Sequence, residues 1–383
     1  MSGKTVVILG GGTGGLVVAH RLRRMIGRGH RVVLVDRNPI YYFAPSFTWV
    51  MIGQRGAQHI SRDLRRLQKR GVEVVIDEVT AIDAAARKVT LRGGDLDFDY
   101  LVIALGAQYS SEEIPGLGRC WTFYHVEGAE GLQERLPQFR SGRIAIVVSA
   151  LPYKCPPAPY EGALLLDAYF RARRLRDEVD IHVYTPEPFP LTAAGEHVGQ
   201  RIMEMLAGRG IGFTAGARLV EVDHRSRRLR FEDGLEAPFD LPIATPIHNP
   251  PDVLRTSGLC PGGGWVSVDR ETLATRFERV YAIGDATEIP LAHGVPLPKA
   301  GVFAHGQAEV VARNLAAEIC GGDPTWAFGG HGGCFLETGG GKAAYVTAHF
   351  YAEPRPDVVI RSPSRVWHWA KLGFERMWLW RWF

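Results

Sequence analysis

Five cysteines, at positions 120, 155, 260, 320 and 334, are the side chains through which this chain could do redox or nucleophilic sulfur chemistry. They stand far apart with no C-x-x-C, so neither a zinc site nor a thioredoxin-type motif is encoded. Cys155 is set apart by its surroundings. Five apolar residues without alternation, 144–148, read as a buried strand. In a chain built from two nucleotide-binding halves a glycine-rich turn should follow, because the backbone must approach a pyrophosphate and a helix N-terminus must face it. The segment supplied is Ser149-Ala150-Leu151-Pro152-Tyr153-Lys154-Cys155-Pro156-Pro157. Bulky side chains and prolines exclude the phosphates, and a thiol lies where they would sit. The second half is therefore expected to have lost a nicotinamide cofactor and gained sulfur chemistry.

The first half keeps its cradle. An apolar strand at 5–9 precedes Gly10-Gly11-Gly12-Thr13-Gly14-Gly15, which gives G-x-G-x-x-G at 10, 12 and 15; a helix through 24 and a strand at 31–35 ending on Asp36 follow. Strand, turn, helix, strand and acid in this register form the fingerprint of an ADP-bearing cofactor. Gly10 makes the tight turn, Gly12 admits the pyrophosphate, Gly15 lets helix and strand pack, and Asp36 accepts from the ribose. Arg37 and Val79 extend the expected contacts. The strand at 99–107 ends in small residues, Ala104 and Gly106, where backbone meets cofactor. Gly284-Asp285 ends a further strand at 279–286, a second contact that suits FAD, far longer than NAD. A helix over 303–320 is expected to point its positive dipole toward the flavin.

These sites need elements to hold them. The 383 residues, 46% apolar and 22% charged, suit two α/β domains plus an appendage. An FAD-binding domain is expected over 1–112 and 265–330, and a second Rossmann-like domain without a nicotinamide fingerprint over 113–264. A C-terminal hairpin and amphipathic segment fill 331–383. Helices are expected at 161–174 and 196–209, and strands at 72–76, 89–91, 180–184, 211–213 and 219–222. The aromatic cluster at 41–49 is too irregular for a core strand and serves either as a flavin flank or apolar pocket, or as a packed loop. A net charge of +4 without basic blocks gives no nucleic-acid footprint. No signal peptide opens the chain, and no apolar run is long enough to span a bilayer.

The tail holds five of the nine tryptophans. At helical spacing Ser364, His368, Lys371 and Glu375 form a narrow polar stripe, leaving a wide aromatic face. Such a helix suits the headgroup boundary of a membrane; the alternative is a core cap or dimer interface.

Taken together, the residues resemble the sulfide:quinone oxidoreductase family, within the FAD-dependent disulfide reductase fold. The resemblance rests on the 10–15 fingerprint with Asp36, Pro45-Ser46, Cys155 with Tyr160-Glu161, and Ile283-Gly284-Asp285. It continues through Pro298-Lys299-Ala300-Gly301, Cys334-Phe335, and Trp367 to Glu375. It implies an α/β fold of two Rossmann-like domains with a C-terminal amphipathic membrane-binding helix. It implies a redox pair, Cys155 and Cys334, that oxidises sulfide to polysulfide or sulfur. One cysteine takes a persulfide while the other, Cys334, becomes the thiolate that passes two electrons to FAD. Glu161 matches an acid that handles protons near sulfide, or is a surface salt-bridge partner. Cys120 falls near a third family cysteine, one residue out of register with His125. Lys299 joins the cofactor contacts, and Pro45, Gly301, Phe335 and Phe374 match the quinone site. Cys260 and Cys320 match nothing catalytic and read as packing residues. The implied partners are sulfide, a membrane quinone and, through the tail, the surface of a prokaryotic cytoplasmic membrane, with a homo-oligomer compatible. The rival readings are the flavoprotein subunit of flavocytochrome c sulfide dehydrogenase, a type II NADH:quinone dehydrogenase, and a non-catalytic flavin-binding protein.

Overall fold

A computed structural model describes residues 3–383. The strand Thr5–Leu9 is apolar on both faces and can satisfy its backbone only between two parallel neighbours. Those are Arg31–Asp36 and Tyr100–Ile103. Glu73–Ile76 and Val280–Ala282 complete a five-stranded parallel sheet, in the order 280–282, 100–103, 5–9, 31–36, 73–76. Alternation splits the first strand between two cores: Val6 and Ile8 face one cluster, Val7 and Leu9 the other. The helices Thr13–Met25 and Gly301–Ile319 lie against one another, with Arg21 Nε bonded to Glu309 at 2.6 Å.

A second parallel sheet has the order Gly212–Thr214, Val179–Tyr184, Gly142–Val147, Leu241–Ala244. The helix Ala158–Ala172 follows the Cys155 segment, starting three residues earlier than the pattern indicated, and Glu196–Ala207 follows later. Each sheet carries a three-stranded antiparallel meander, at 79–97 and 219–238.

The tail is a three-stranded antiparallel sheet, His331–Gly339, Lys342–His349 and Asp357–Ser364, followed by the helix Arg365–Arg381. Its third strand was not legible, because Arg361-Ser362-Pro363-Ser364 carries no apolar alternation. Ser364 caps the helix, its hydroxyl accepting from the Trp367 amide. The helix turns its polar stripe inward: Lys371 and Glu375 are buried, and Ser364 and His368 half-buried. The outward side carries Val366, Trp369, Met377 and Trp380, exposed by 61%, 64%, 47% and 78%. Trp378, Leu379 and Trp382 are buried, so one flank of the helix does cap the core. Among the described residues no helix is long and apolar enough to cross a membrane.

The aromatic cluster becomes a short strand, Ile40–Tyr42, one turn of 3₁₀ helix, Ala44–Ser46, and a helix, Phe47–Met51. The tail helix covers it, with Phe43 packing 5.6 Å from Phe374 and 6.0 Å from Trp378. The segment is packed, with Tyr41, Phe43 and residues 46–50 buried and Ala44 and Pro45 exposed. Cys260 is buried as expected, but Cys320 caps the C-terminus of Gly301–Ile319 and is exposed.

Helix and strand meet most closely at Gly15, where a Cβ would lie 1.8 Å from the Gly10 carbonyl oxygen. Gly15→Ala is therefore expected to cost about 1–3 kcal/mol or more by overpacking, and to lower the flavin content with it. Thermal unfolding and the absorbance of the purified protein check this; a normal melt with full flavin would refute it.

Candidate active site

The first-domain turn is shaped for a phosphate. Gly10 has φ +98°, and its amide donates to Val35 O. A Cβ on Gly12 would meet nothing within 4 Å. The helix that follows has no side-chain cap, so its first amides are free for an anion. Asp36 is fixed by the turn it serves: Oδ2 accepts from Gly11 N at 2.6 Å and Oδ1 from Asn38 N at 2.7 Å. At the end of strand 280–282, Gly284 has φ +70° and donates to the buried Gln307 Oε1 at 2.7 Å. Asp285 Oδ1 is buried and without a partner, as expected where a ribityl or ribose hydroxyl would donate. Gly106, at φ +70° with open space where a Cβ would point, admits the same ligand. These residues fit FAD. Arg37 is exposed beside Asp36, and Val79 opens the first meander, half-buried against Leu91.

Lys299 connects this cradle to the cysteines. Its buried ammonium donates to the carbonyls of Asp285 and Thr287 at 2.9 and 2.8 Å and sits 3.4 Å above the Trp265 ring. Burial lowers its pKa to about 8, opposed by Asp285 and Glu288. Its own carbonyl accepts from Cys155 N at 2.7 Å.

Cys155 leaves the strand Gly142–Val147 in a left-handed conformation, φ +51°, and its carbonyl accepts from Ala158 N to start the next helix. Cys334 lies on the tail strand, opposite Val346. Both are free thiols and share the same charges. Burial pushes the Cys334 thiol up to about 12, the Glu161 carboxylate adds to the push, and the Lys371 ammonium opposes it. Cys155 moves in the same direction from burial, then Glu161 and Cys334, against Lys371 and Lys154. Cys155 is exposed to solvent.

Glu161 is buried, which removes the surface-partner reading. It accepts from Thr48 Oγ1 at 2.5 Å, from Glu337 N at 2.9 Å and from Lys371 Nζ at 3.1 Å. Lys371 lies 4.5 Å from the Trp49 ring centroid, and Arg55 4.8 Å from it. One step outward, Glu337, whose pKa burial raises, pairs with His368 Nδ1 at 3.0 Å. Glu375 accepts from Ser46 Oγ at 2.5 Å and from Arg55 Nε at 3.0 Å. Sequence reasoning had placed Lys371, His368 and Glu375 on one stripe without seeing what the stripe met. Thr48 and Trp49 belong to the aromatic cluster at 41–49, but their meeting with Lys371, like that of Arg55 and Glu337, carries no local signal, because the partners come from segments distant in the chain.

The remaining site residues divide. Phe335 and Phe374 come together, centroids 6.3 Å apart, but at 42° rather than parallel, so a flat ring would enter only after one rotates. Pro45 is exposed, while its neighbour Ser46 holds Glu375. Gly301 begins its helix beside Thr13, 3.6 Å from where its Cβ would lie. Cys120 packs on the outer core of the second domain with Leu117, and burial alone raises its thiol to about 12. None of the charges that act on Cys155 and Cys334 reaches it.

A free-helix-end phosphate cradle, a second strand-end acid and a thiol pair on the facing elements define an FAD-dependent oxidoreductase. Residues 4–150 match the family model described as pyridine nucleotide-disulphide oxidoreductase. The chain is 27% identical to the mitochondrial sulfide:quinone oxidoreductase of Mus musculus, over 91% of this chain and 79% of that one. It is 26% identical to the sulfide-quinone reductase of Aquifex aeolicus, over 99% and 91%. The crystal structure of the sulfide:quinone oxidoreductase from that bacterium superposes with a TM-score of 0.89 at 24% identity, covering 99% of this chain and 91% of that one. The resemblance to the sulfide:quinone oxidoreductases holds along nearly the whole chain.

Lys371 and Glu161 are exposed by only 3% and 7% at their side chains. Removing one partner strands a buried charge, so Lys371→Met should cost about 3–5 kcal/mol, and Lys371→Met with Glu161→Gln distinctly less. Denaturant unfolding of the single and double variants measures this; additive costs would mean that the two side chains do not depend on one another.

Proposed function

We propose that this protein oxidises sulfide with Cys155 and Cys334 and passes the electrons through FAD to a membrane quinone. The observation that carries the reading is a thiol in the position of a phosphate cradle, sharing Glu161 and Lys371 with a second thiol from the tail sheet. A nicotinamide-using dehydrogenase would need the glycines that the 149–157 segment lacks.

In the oxidised form of the pair, a hydrosulfide ion attacks one cysteine sulfur. A new sulfur–sulfur bond forms, the Cys155–Cys334 bond breaks, and Cys334 departs as a thiolate. Burial disfavours that thiolate, and Lys371 is the charge that offsets the penalty. Glu161 holds Lys371 in place while itself held by Thr48 and the Glu337 amide. Bound FAD supplies the two-electron carrier between sulfur and quinone. Each further sulfide adds one sulfur to the chain, releasing a proton and two electrons that leave by the same route to the quinone, until the chain is released as polysulfide. Phe335 and Phe374 would face the quinone ring, with Pro45 and Gly301 at its flanks.

The tail is read as a peripheral membrane anchor on a prokaryotic cytoplasmic membrane. Support comes from the outward Val366, Trp369, Met377 and Trp380, flanked by the exposed Arg365, Arg376 and Arg381. An aromatic face with arginines at its margins suits the headgroup boundary. A quinone would then reach Phe374 from the bilayer side of the same helix.

Anaerobic sulfide should bleach the flavin and a short-chain quinone should restore it, while NADH does neither; bleaching by NADH alone would overturn the reading. Cys334→Ser should lower sulfide-driven flavin reduction by about two orders of magnitude or more, and full activity in that variant would remove Cys334 from the pair. Trp369→Ser with Trp380→Ser should weaken cosedimentation with anionic lipid vesicles by about tenfold or more. Unchanged sedimentation would leave the outward face without a membrane role.

A further inference from the structure

Beside Cys155 lies a group of polar side chains that none of these roles uses, with His248 and Tyr124 buried and Tyr109 and Lys154 half-buried. The chain leaves the first domain through Gln108–Tyr109 and returns through His248–Asn249, and the two crossings pair as a short antiparallel sheet. His248, only 3% exposed, is set edge-on between two tyrosines, with ring centroids 5.0 Å from Tyr109 and 5.6 Å from Tyr124. Tyr109 Oη donates to the Tyr124 carbonyl at 3.0 Å, which fixes the rings together. Lys154, the neighbour of Cys155, holds its ammonium 4.8 Å from the Tyr109 centroid.

Three buried atoms here have no hydrogen-bond partner: His248 Nδ1, His248 Nε2 and Tyr124 Oη. The Pro246 carbonyl acts on His248 without reaching hydrogen-bonding geometry. Buried polar atoms are nearly always paired, so three orphans on adjacent rings mark a place where a ligand belongs. Cys155 is within electrostatic reach of Tyr124, Tyr109 and Lys154.

We propose that Lys154, Tyr124 and His248 bind the hydrosulfide ion next to Cys155, before it attacks. The inference rests on the sulfide-oxidising function argued above and names the residues that would hold that substrate. Lys154 supplies a fixed positive charge. The Tyr124 hydroxyl and one His248 N–H donate to the sulfur. Burial first, then Lys154 and Lys299, lowers the His248 pKa to about 3, so the ring stays neutral and carries one N–H to donate. Asp285 is the nearby carboxylate that acts on Lys154, and its unpartnered oxygen is assigned to the cofactor cradle. A small anion is matched by one cation and a small set of donors.

The test is anaerobic stopped-flow reduction of the FAD-loaded full chain across a range of sulfide concentrations. Tyr124→Phe deletes one unpartnered oxygen and should leave the fold intact; His248→Phe is its companion. Each should raise the sulfide concentration for half-maximal rate by about tenfold, the size of a lost hydrogen bond to a charged partner. The flavin spectrum, the FAD content and reoxidation by quinone serve as controls and should stay as in the parent. An unchanged sulfide dependence in both variants would overturn the inference. So would a changed flavin spectrum or FAD content without a change in sulfide dependence, since the orphans would then serve the cofactor. A parent enzyme that sulfide does not bleach would instead overturn the function on which the inference stands.

Discussion

The Lys371–Glu161 ion pair is the contact on which the arrangement depends. Glu161 belongs to the first turn of the helix behind Cys155, and Lys371 to the tail helix, 210 residues further on. Both are buried, and both act electrically on the two thiols. A buried ion pair is weak evidence for stability, since well-packed apolar residues would serve as well or better. Its presence is better explained by what it does to its neighbours. A thiol drawn out of water, as Cys334 partly is, becomes a poor nucleophile and a poor leaving group, because burial disfavours the thiolate. A lysine held beside it by a carboxylate restores some of that lost anion stability. The same contact docks the tail onto the second domain, so chemistry and assembly share one interaction.

The polar stripe explains the unusual character of the tail helix. A surface helix ordinarily turns apolar residues inward and charge outward. Here His368, Lys371 and Glu375 meet Glu337, Glu161 and Ser46 with Arg55, and the outward face is left with tryptophans. Trp49 lies beneath, contacted by both Lys371 and Arg55. Inward polarity makes the helix specific for its site, since each buried charge finds a partner only in that register. Outward, Val366, Trp369, Met377 and Trp380 stay exposed on one helix, an apolar face uncommon on a water-facing surface.

Much of this was legible in the chain. The strand 5–9, the glycines at 10, 12 and 15, and Asp36 fall where local pattern placed them, because a phosphate cradle is built from contiguous residues with strict backbone demands. Cys155 was conspicuous through what it replaced. The tail stripe was visible as a period, although period alone does not say which face turns inward. What stayed hidden came from pairings across long separations. Glu161 looked as free to be exposed as buried, since its partners Thr48, Glu337 and Lys371 come from three other segments. His248 and Tyr124 gave no signal either, for they matter only because two domain crossings pair beside Cys155.

The conversion of a phosphate cradle into a thiol site also has a backbone logic. A glycine turn serves a dinucleotide by adopting positive φ and leaving its amides free. The 149–157 segment keeps one positive-φ position, and Cys155 occupies it at +51°. A non-glycine residue pays conformational strain there, which persists only if its surroundings over-determine it. They do: the Cys155 amide is taken by Lys299 O and its carbonyl by Ala158 N, while the Lys299 ammonium is locked onto the carbonyls of Asp285 and Thr287. The Cys155 amide thus ties the cysteine to the segment that carries Lys299. Lys299 therefore fixes the backbone position of Cys155 by hydrogen bonds as well as by packing.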